Sequence, residues 1–261
     1  MSKKVILFDI EGTLYTRNGV IEDAIELVNN LKQKYTIRFI TNTDSKSQFS
    51  VYLHLKNLGF DIQLHEVYTP SRMIHSYLLD SITSAYFLTS QEIKDEFKQK
   101  GQLLEDYHHT ICPSHVVMGD IKEVLDYHSI NTAFRYVEKG AQLIVLQEGL
   151  FYLTGHEINI DTGSFAKMFS DQAQENKILV GKPSPIFLSA IMDELNISDK
   201  KDFLIVGDDI FSDITMGNQF GIETVLVKTG KYEQQKELSS SIQPNYILES
   251  VRTLNELLEE L

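Results

Sequence analysis

Asp9 and Glu11 stand two residues apart at the end of the apolar run Val5-Ile6-Leu7-Phe8, with Gly12-Thr13 directly after them. A continuous apolar run closed by turn residues reads as a strand buried on both faces of a parallel sheet. Ligands of such sheets sit beyond the carboxyl ends of the strands, so Asp9 is expected at the mouth of a site, with Glu11 just outside it. Gly12 would let backbone N–H groups approach an anion there. Three other apolar runs also end in polar residues: Ile37–Ile40 in Thr41-Asn42, Lys177–Val180 in Gly181-Lys182-Pro183, and Phe203–Val206 in Gly207-Asp208-Asp209, with Asp213 following. If these strands are neighbours, their carboxylates converge and repel one another unless a cation lies among them. Hard oxygen ligands with room for water and phosphate oxygens suit Mg²⁺. Thr41 and Asn42 can hydrogen-bond phosphate oxygens, and Lys182 is a point charge able to balance a nucleophile and a transferring phosphoryl group. A carboxylate can attack phosphorus to give an aspartyl-phosphate. Each motif alone could be a strand-end cap or turn. All four in this order, with Gly-Lys-Pro and Gly-Asp-Asp-x-x-x-Asp both present, point to phosphoryl chemistry.

The elements that must position these residues follow from periodicity. Helical spacing runs through Ile21, Ala24, Ile25, Val28 and Leu31, predicting a helix over 19–34. A second helix is expected through Phe49, Leu53 and Leu55. A third, N-capped by Ser71, is expected through Met73, Ile74, Tyr77 and Leu78 after a strand over 66–70. Alternating strand and helix predicts a parallel sheet with right-handed crossovers. Residues 82–176 read as an inserted α/β domain, with strands at 85–89, 116–120 and 143–146, a shorter one at 150–153, and helices near 91–100 and 121–139. Residues 1–81 and 177–261 form the main domain. Its last part has a helix through Ile186, Phe187, Ala190, Ile191 and Leu195, a buried strand ending at Asp208, a helix over 212–220, a strand over 223–227, and a C-terminal helix through Leu254, Leu257 and Leu258.

Composition narrows the function. Hydrophobic residues make up 42% and charged residues 23% of the 261, ordinary values for a globular chain with a sizeable core. A net charge of −13 disfavours nucleic acid and anionic membrane surfaces as partners. The single cysteine, Cys112, allows no intrachain disulfide and suits a reducing compartment; the initial apolar run is short for a signal segment, so a cytoplasmic location is expected. His108, His109 and His115 complete no ligand spacing and are expected in loops or at the surface.

Taken together, Phe8-Asp9-x-x-Gly12-Thr13-Leu14, Thr41-Asn42, Gly181-Lys182-Pro183, Val206-Gly207-Asp208 with Asp213-Ile214, and Leu226-Val227-Lys228-Thr229-Gly230 resemble the haloacid dehalogenase superfamily of phosphatases. The likeness is to the NagD or p-nitrophenylphosphatase-like branch, and within it to the subgroup typified by phospholysine phosphohistidine inorganic pyrophosphate phosphatase. The resemblance implies a Rossmann-like parallel-sheet core with an inserted α/β cap, and a phosphoric monoester hydrolase using Mg²⁺. It also implies roles. Asp9 would be the nucleophile and a metal ligand, joined at the metal by the Glu11 carbonyl and Asp208. Thr41, Asn42 and Gly12 would hold the phosphoryl group, Lys182 would steady the charges, and Asp213, with Asp209 ranked lower, would support from behind. The family usually has Asp as acid/base where this chain has Glu11, which carries the carboxyl one methylene further out; the subgroup accepts other residues there, typically Ser. Gln147, Glu148 and Tyr152 fall where a cap loop reads substrate, although such loop residues are as often inert. Asp120 is a similar candidate or a helix N-cap. A small phosphorylated substrate and a homodimer are expected. The alternatives are a phosphate-binding regulatory protein in which Glu11 marks weak or lost turnover, and a phosphomutase.

Overall fold

The computed structural model describes residues 4–78, 85–99, 112–154, 157–235 and 241–261. The expected domain boundary at residue 82 and the pair His108-His109 lie outside these residues. The chain divides into two units. One contains residues 1–41, 48–68 and 182–261, and the other contains 42–47 and 69–181.

The first unit is built on a six-stranded sheet. Its order is Tyr246–Leu248, Glu223–Val227, Phe203–Gly207, Val5–Asp9, Thr36–Ile40 and Val67–Tyr68, every neighbouring pair parallel. The two central strands, Val5–Asp9 and Phe203–Gly207, are buried along their whole length, as their unbroken apolar runs require. Ile6, Phe8, Leu204, Val206 and Val225 share a core with Ala24, Leu27, Val28 and Leu31 of the helix Ala24–Leu31. That helix starts five residues later than its periodicity suggests. Tyr15–Thr16 and Gly19–Val20 pair as a short antiparallel hairpin, with Gly19 at φ +114, and take the preceding residues out of the helix.

In the helix Gln48–Asn57 the buried residues are Val51 and Leu55, four apart on one face. Phe49 and Leu53 lie on the other side, 55% and 41% exposed, contrary to expectation. The expected strand at 177–181 also turns out differently. Ile178–Leu179 pairs with Ile144–Val145, which removes it from the six-stranded sheet. Lys182 therefore follows no strand of its own unit. It enters the helix Pro185–Leu195, whose first turn is capped by the Ser184 hydroxyl accepting from the Ile186 N–H.

The second unit carries a four-stranded parallel sheet ordered Ile178–Leu179, Gln142–Val145, His115–Met118 and Ala85–Leu88. Val116, Met118, Leu143 and Val145 pack with Ala133, Tyr136 and Val137 of the helix Tyr127–Glu138. The sequence pattern predicts a helix near 121–139. It begins at Tyr127 because Asp126 caps it, accepting from the Ser129 N–H at 2.9 Å. His115 is buried on a strand, with its Nδ1 2.8 Å from the Ser114 hydroxyl, and is not the surface residue expected. A hairpin of Phe151–Thr154 and Glu157–Ile160 extends the expected short strand. The helix Pro70–Leu78 is capped by the Thr69 hydroxyl, which accepts from the Arg72 N–H. Ser71, the expected cap, lies inside that helix, because Pro70 takes the first helical position.

Candidate active site

In the first unit, parallel register sets the positions. Phe8 pairs with Val206, and Asp9 pairs with Ile40, so Asp208 lies two residues past the partner of Phe8 and Thr41 one residue past the partner of Asp9. Asp9, Asp208 and Asp213 are all buried, and each has a carboxylate oxygen within 4.8 Å of the others. Into this cluster the 1% exposed Lys182 side chain extends its ammonium, 2.6 Å from Asp9 Oδ1 and 2.8 Å from Asp213 Oδ1. It also donates to the Ile40 carbonyl at 3.4 Å. Burial works against its charge, but Asp213 and Asp9 outweigh that and hold the Lys182 pKa above its ordinary value. The second oxygen of Asp9 accepts from the Thr13 hydroxyl at 3.1 Å.

Asp208 is the carboxylate least relieved by cations. Burial, then Asp9, push its pKa well above the usual range, against the opposing pull of Lys231. Its Oδ2 accepts from the Lys231 backbone N–H at 2.8 Å. Two glycines make room for it. A β-carbon at Gly230 would fall 1.8 Å from Asp208 Oδ2, and one at Gly12, which has φ +94, would fall 2.3 Å away. The Thr229 hydroxyl donates to the Gly12 carbonyl and ties these two loops together. Asp213 is pushed up to about 7, chiefly by burial, with Lys182 opposing and Asp9 and Asp209 adding. Gly207 lies against it, where a β-carbon would meet Asp213 Oδ2 at 2.2 Å.

Asp209 turns away from this cluster. Its Oδ1 accepts from the backbone N–H groups of Phe211 and Ser212, capping the single wide turn Ile210–Ile214 that precedes the helix Thr215–Phe220. The helix expected over 212–220 thus has an earlier, wider start. Asp209 Oδ2 pairs with Lys231 at 2.7 Å, and Gln235 bridges Asp209 Oδ1 and the Ile210 N–H. Burial opposes the shift, yet Lys231 and Gln235 hold the Asp209 pKa below its usual value.

Glu11 is exposed, and no side-chain hydrogen bond fixes its carboxylate among the described residues. Its backbone bridges to Tyr15, whose phenol is pushed above its ordinary pKa by burial, with Glu11 and Asp9 adding. Thr41 is buried, its N–H donating to the Tyr68 carbonyl. The structure thus brings Asp9, Lys182, Asp208 and Asp213 together, with Gly12 and Asp209 adjoining.

The remaining sequence candidates fall in the second unit. Asn42 Oδ1 lies against Gly181, where a β-carbon would sit 2.7 Å away. Gln147 is buried and accepts from the Gly149 N–H. Glu148 pairs with Lys177 at 2.7 Å, and Tyr152 receives the Lys122 ammonium 3.9 Å from its ring centre. Asp120 accepts from the Lys122 N–H, a turn contact and not a helix cap. Sequence reasoning passed over Lys231 and Gln235. Lys231 directly follows Thr229-Gly230 of the last motif, a usable signal, whereas nothing local distinguishes Gln235.

Residues 6–102 match the haloacid dehalogenase-like hydrolase family, and residues 179–254 match a family described as HAD-hydrolase-like. Human phospholysine phosphohistidine inorganic pyrophosphate phosphatase is 29% identical over 240 residues, 89% of this chain and 85% of its own length. Among solved structures, p-nitrophenyl phosphatase from Archaeoglobus fulgidus superposes over 100% of both chains with a TM-score of 0.87 at 22% identity. NagD from E. coli K-12 does so over 96% of this chain and 98% of its own, with a TM-score of 0.81 at 23% identity. Together the two family matches span most of the chain, which belongs to the haloacid dehalogenase-like hydrolases. It is an enzyme of that class, a phosphoric monoester hydrolase.

Proposed function

We propose that the enzyme is a Mg²⁺-dependent phosphatase that hydrolyses a small phosphorylated metabolite through an aspartyl-phosphate on Asp9. The observation that carries this reading is the buried Lys182 ammonium, seated between Asp9 and Asp213 with Asp208 alongside. The donor set fits a hard divalent cation, being the buried carboxylate oxygens of Asp9, Asp208 and Asp213 with the Lys182 ammonium beside them. Asp9 and Asp208, with the main-chain carbonyl of Glu11, would hold the ion. Asp213 supports from behind, since Lys182 and the Asp209 N–H engage its oxygens. The ion supplies neutralisation of charge on the phosphoryl oxygens.

In this reading Thr13 and Lys182 aim the Asp9 carboxylate, which attacks phosphorus while the ester oxygen leaves. Glu11 gives that oxygen its proton. Glu11 then takes a proton from the water that hydrolyses the acyl phosphate, restoring Asp9 and releasing inorganic phosphate. Thr41 and Asn42 hold the phosphoryl oxygens, with Gly12 leaving space beside Asp208. Residues 82–176 serve as the cap, where Gln147, Glu148 and Tyr152 are the candidates for contact with the rest of the substrate. The acidic, cysteine-poor composition favours a cytoplasmic enzyme, and a homodimer is proposed for sedimentation to test.

The experiment is phosphate release from p-nitrophenyl phosphate and a panel of phosphorylated metabolites, with Mg²⁺ or EDTA, for wild type and Asp9→Asn. Rates that need both Mg²⁺ and Asp9, with phosphate stoichiometric with substrate lost, are expected. Folded, Mg²⁺-binding protein no faster than Asp9→Asn would overturn the phosphatase in favour of a binding role, and loss of substrate without phosphate release would indicate a mutase.

A further inference from the structure

The second parallel sheet ends its strands in the loops that begin at Thr89, Gly119, Leu146 and Val180. In an open α/β sheet the crevice beyond those ends is where a ligand ordinarily sits. Here much of it is taken by the chain's own residues 42–47, which belong to this unit although they continue directly from Thr41. Their attachments come from several separate loops. Asn42 Oδ1 lies against Gly181, and the Asp44 carbonyl lies against Gly119, where a β-carbon would be 3.2 Å away. The Ser45 carbonyl accepts from the Ser90 hydroxyl at 2.8 Å. Glu92 accepts from the Ser47 N–H at 2.8 Å and pairs with the Lys46 ammonium at 3.1 Å. In the middle, the buried Asp44 carboxylate accepts from the buried Thr162 hydroxyl at 2.6 Å.

A carboxylate 6% exposed, with one side-chain donor among the described residues, is costly to keep unless it does some work. Surface-loop residues at this spacing would be satisfied by water. Asp44 instead reaches the start of the helix Thr162–Ala166, which is held by the Gly163 N–H donating to the Gly149 carbonyl and by Asp161 accepting from the Thr162 N–H. The bond thus joins two segments separated by 118 residues of sequence.

We infer that Asp44 is a positioning residue which, through its hydrogen bond to Thr162, fixes the 42–47 loop and with it the aim of Asn42 at the substrate's phosphoryl group. The inference rests on the phosphatase reading for the role of Asn42. Asp44 touches neither substrate nor metal in this scheme. It removes freedom that the loop would otherwise lose on binding, so its effect belongs to phosphate affinity more than to the chemical step.

The test compares Asp44→Ala and Thr162→Val with Asp44→Asn and Thr162→Ser, which keep an acceptor and a donor in place. The readouts are kcat and KM for p-nitrophenyl phosphate and the inhibition constant of inorganic phosphate, with Mg²⁺ present. Asp44→Ala and Thr162→Val are each expected to raise KM and the inhibition constant about tenfold, with kcat within about threefold of wild type. The double variant should be little worse than either single one. Asp44→Asn and Thr162→Ser should stay close to wild type. Should Asp44→Ala not fold, Thr162→Val, of nearly equal volume, interrogates the same bond from its other end. Unchanged KM and phosphate inhibition in folded Thr162→Val would overturn the inference, as would a loss confined to kcat. Phosphate release by wild type above the Asp9→Asn background judges the phosphatase reading by itself, so the two failures are distinguishable.

Discussion

Lys182 holds two buried carboxylates in one place. Removing only one partner of a buried charge cluster strands the others, and such changes cost about 3–5 kcal/mol. Lys182→Met should therefore lower stability by roughly that amount, measurable by urea unfolding, while abolishing phosphate release. A loss below about 1 kcal/mol would mean that Asp9 and Asp213 are relieved by water or protonation instead. Gly230 makes a different residue-scale case. Its substitution adds no charge, yet a β-carbon there collides with the Asp208 carboxylate 1.8 Å away. Since a displacement of about 1 Å can cost about a hundredfold in rate, Gly230→Ala should lower kcat/KM by about that factor with little change in stability. Gly140 is the control. Its β-carbon would meet nothing within 4 Å, but its φ is +104, so Gly140→Ala should cost stability and leave activity intact.

Among the elements, the 42–47 loop and the helix that holds it give a prediction with a definite sign. The Asp44 carboxyl is pushed up to about 7, chiefly by burial, with Asp161 and Asp120 adding and Thr162 opposing; Lys122 pairs with Asp120. An unfolded Asp titrates near 3.9. Between those values the folded chain binds the extra proton, so this group's contribution to stability is greatest below about pH 4 and declines as pH rises to about 7. The whole decline is of order 2–4 kcal/mol. Asp44→Asn removes it, and the stability gap between variant and wild type should widen in the variant's favour from pH 5 to pH 8. Urea midpoints that run parallel across that range would refute this account. The same loop shows what sequence reading could reach. Asp9, Lys182, Asp208 and Asp213 were legible because each lies beside a recognisable strand end or turn, and the central strands because their apolar runs are unbroken. The pairing of Asp44 with Thr162 spans 118 residues and leaves no local pattern. The run at 178–179 was misplaced for a related reason: apolar character marks a strand but not the sheet it joins. Phe49 and Leu53 misled because helical spacing fits two faces of Gln48–Asn57, and only packing selects Val51 and Leu55.

At the scale of the whole molecule, charge connects composition to site. The chain carries −13 overall, and in the first unit the cations that pair with Asp9, Asp209 and Asp213 among the described residues are Lys182 and Lys231, with Asp208 alongside. A phosphate ester entering such a field is repelled unless a divalent cation precedes or accompanies it. Folding alone assembles the cluster, since its members come from residues 9, 182, 208 and 213, so an unfolded chain has no comparable site for the ion. A cation that binds only the folded state stabilises it by about 2.7 kcal/mol at a hundredfold excess over Kd. For a chain of this size that corresponds to a rise in Tm of roughly 5–10 °C. Mg²⁺ should therefore raise Tm by several degrees in wild type and by much less in Asp208→Asn, whereas the same ionic strength supplied as NaCl should do little to either. Equal shifts with Mg²⁺ and NaCl would identify the effect as general screening of a highly acidic protein and remove the basis for placing the ion at Asp208.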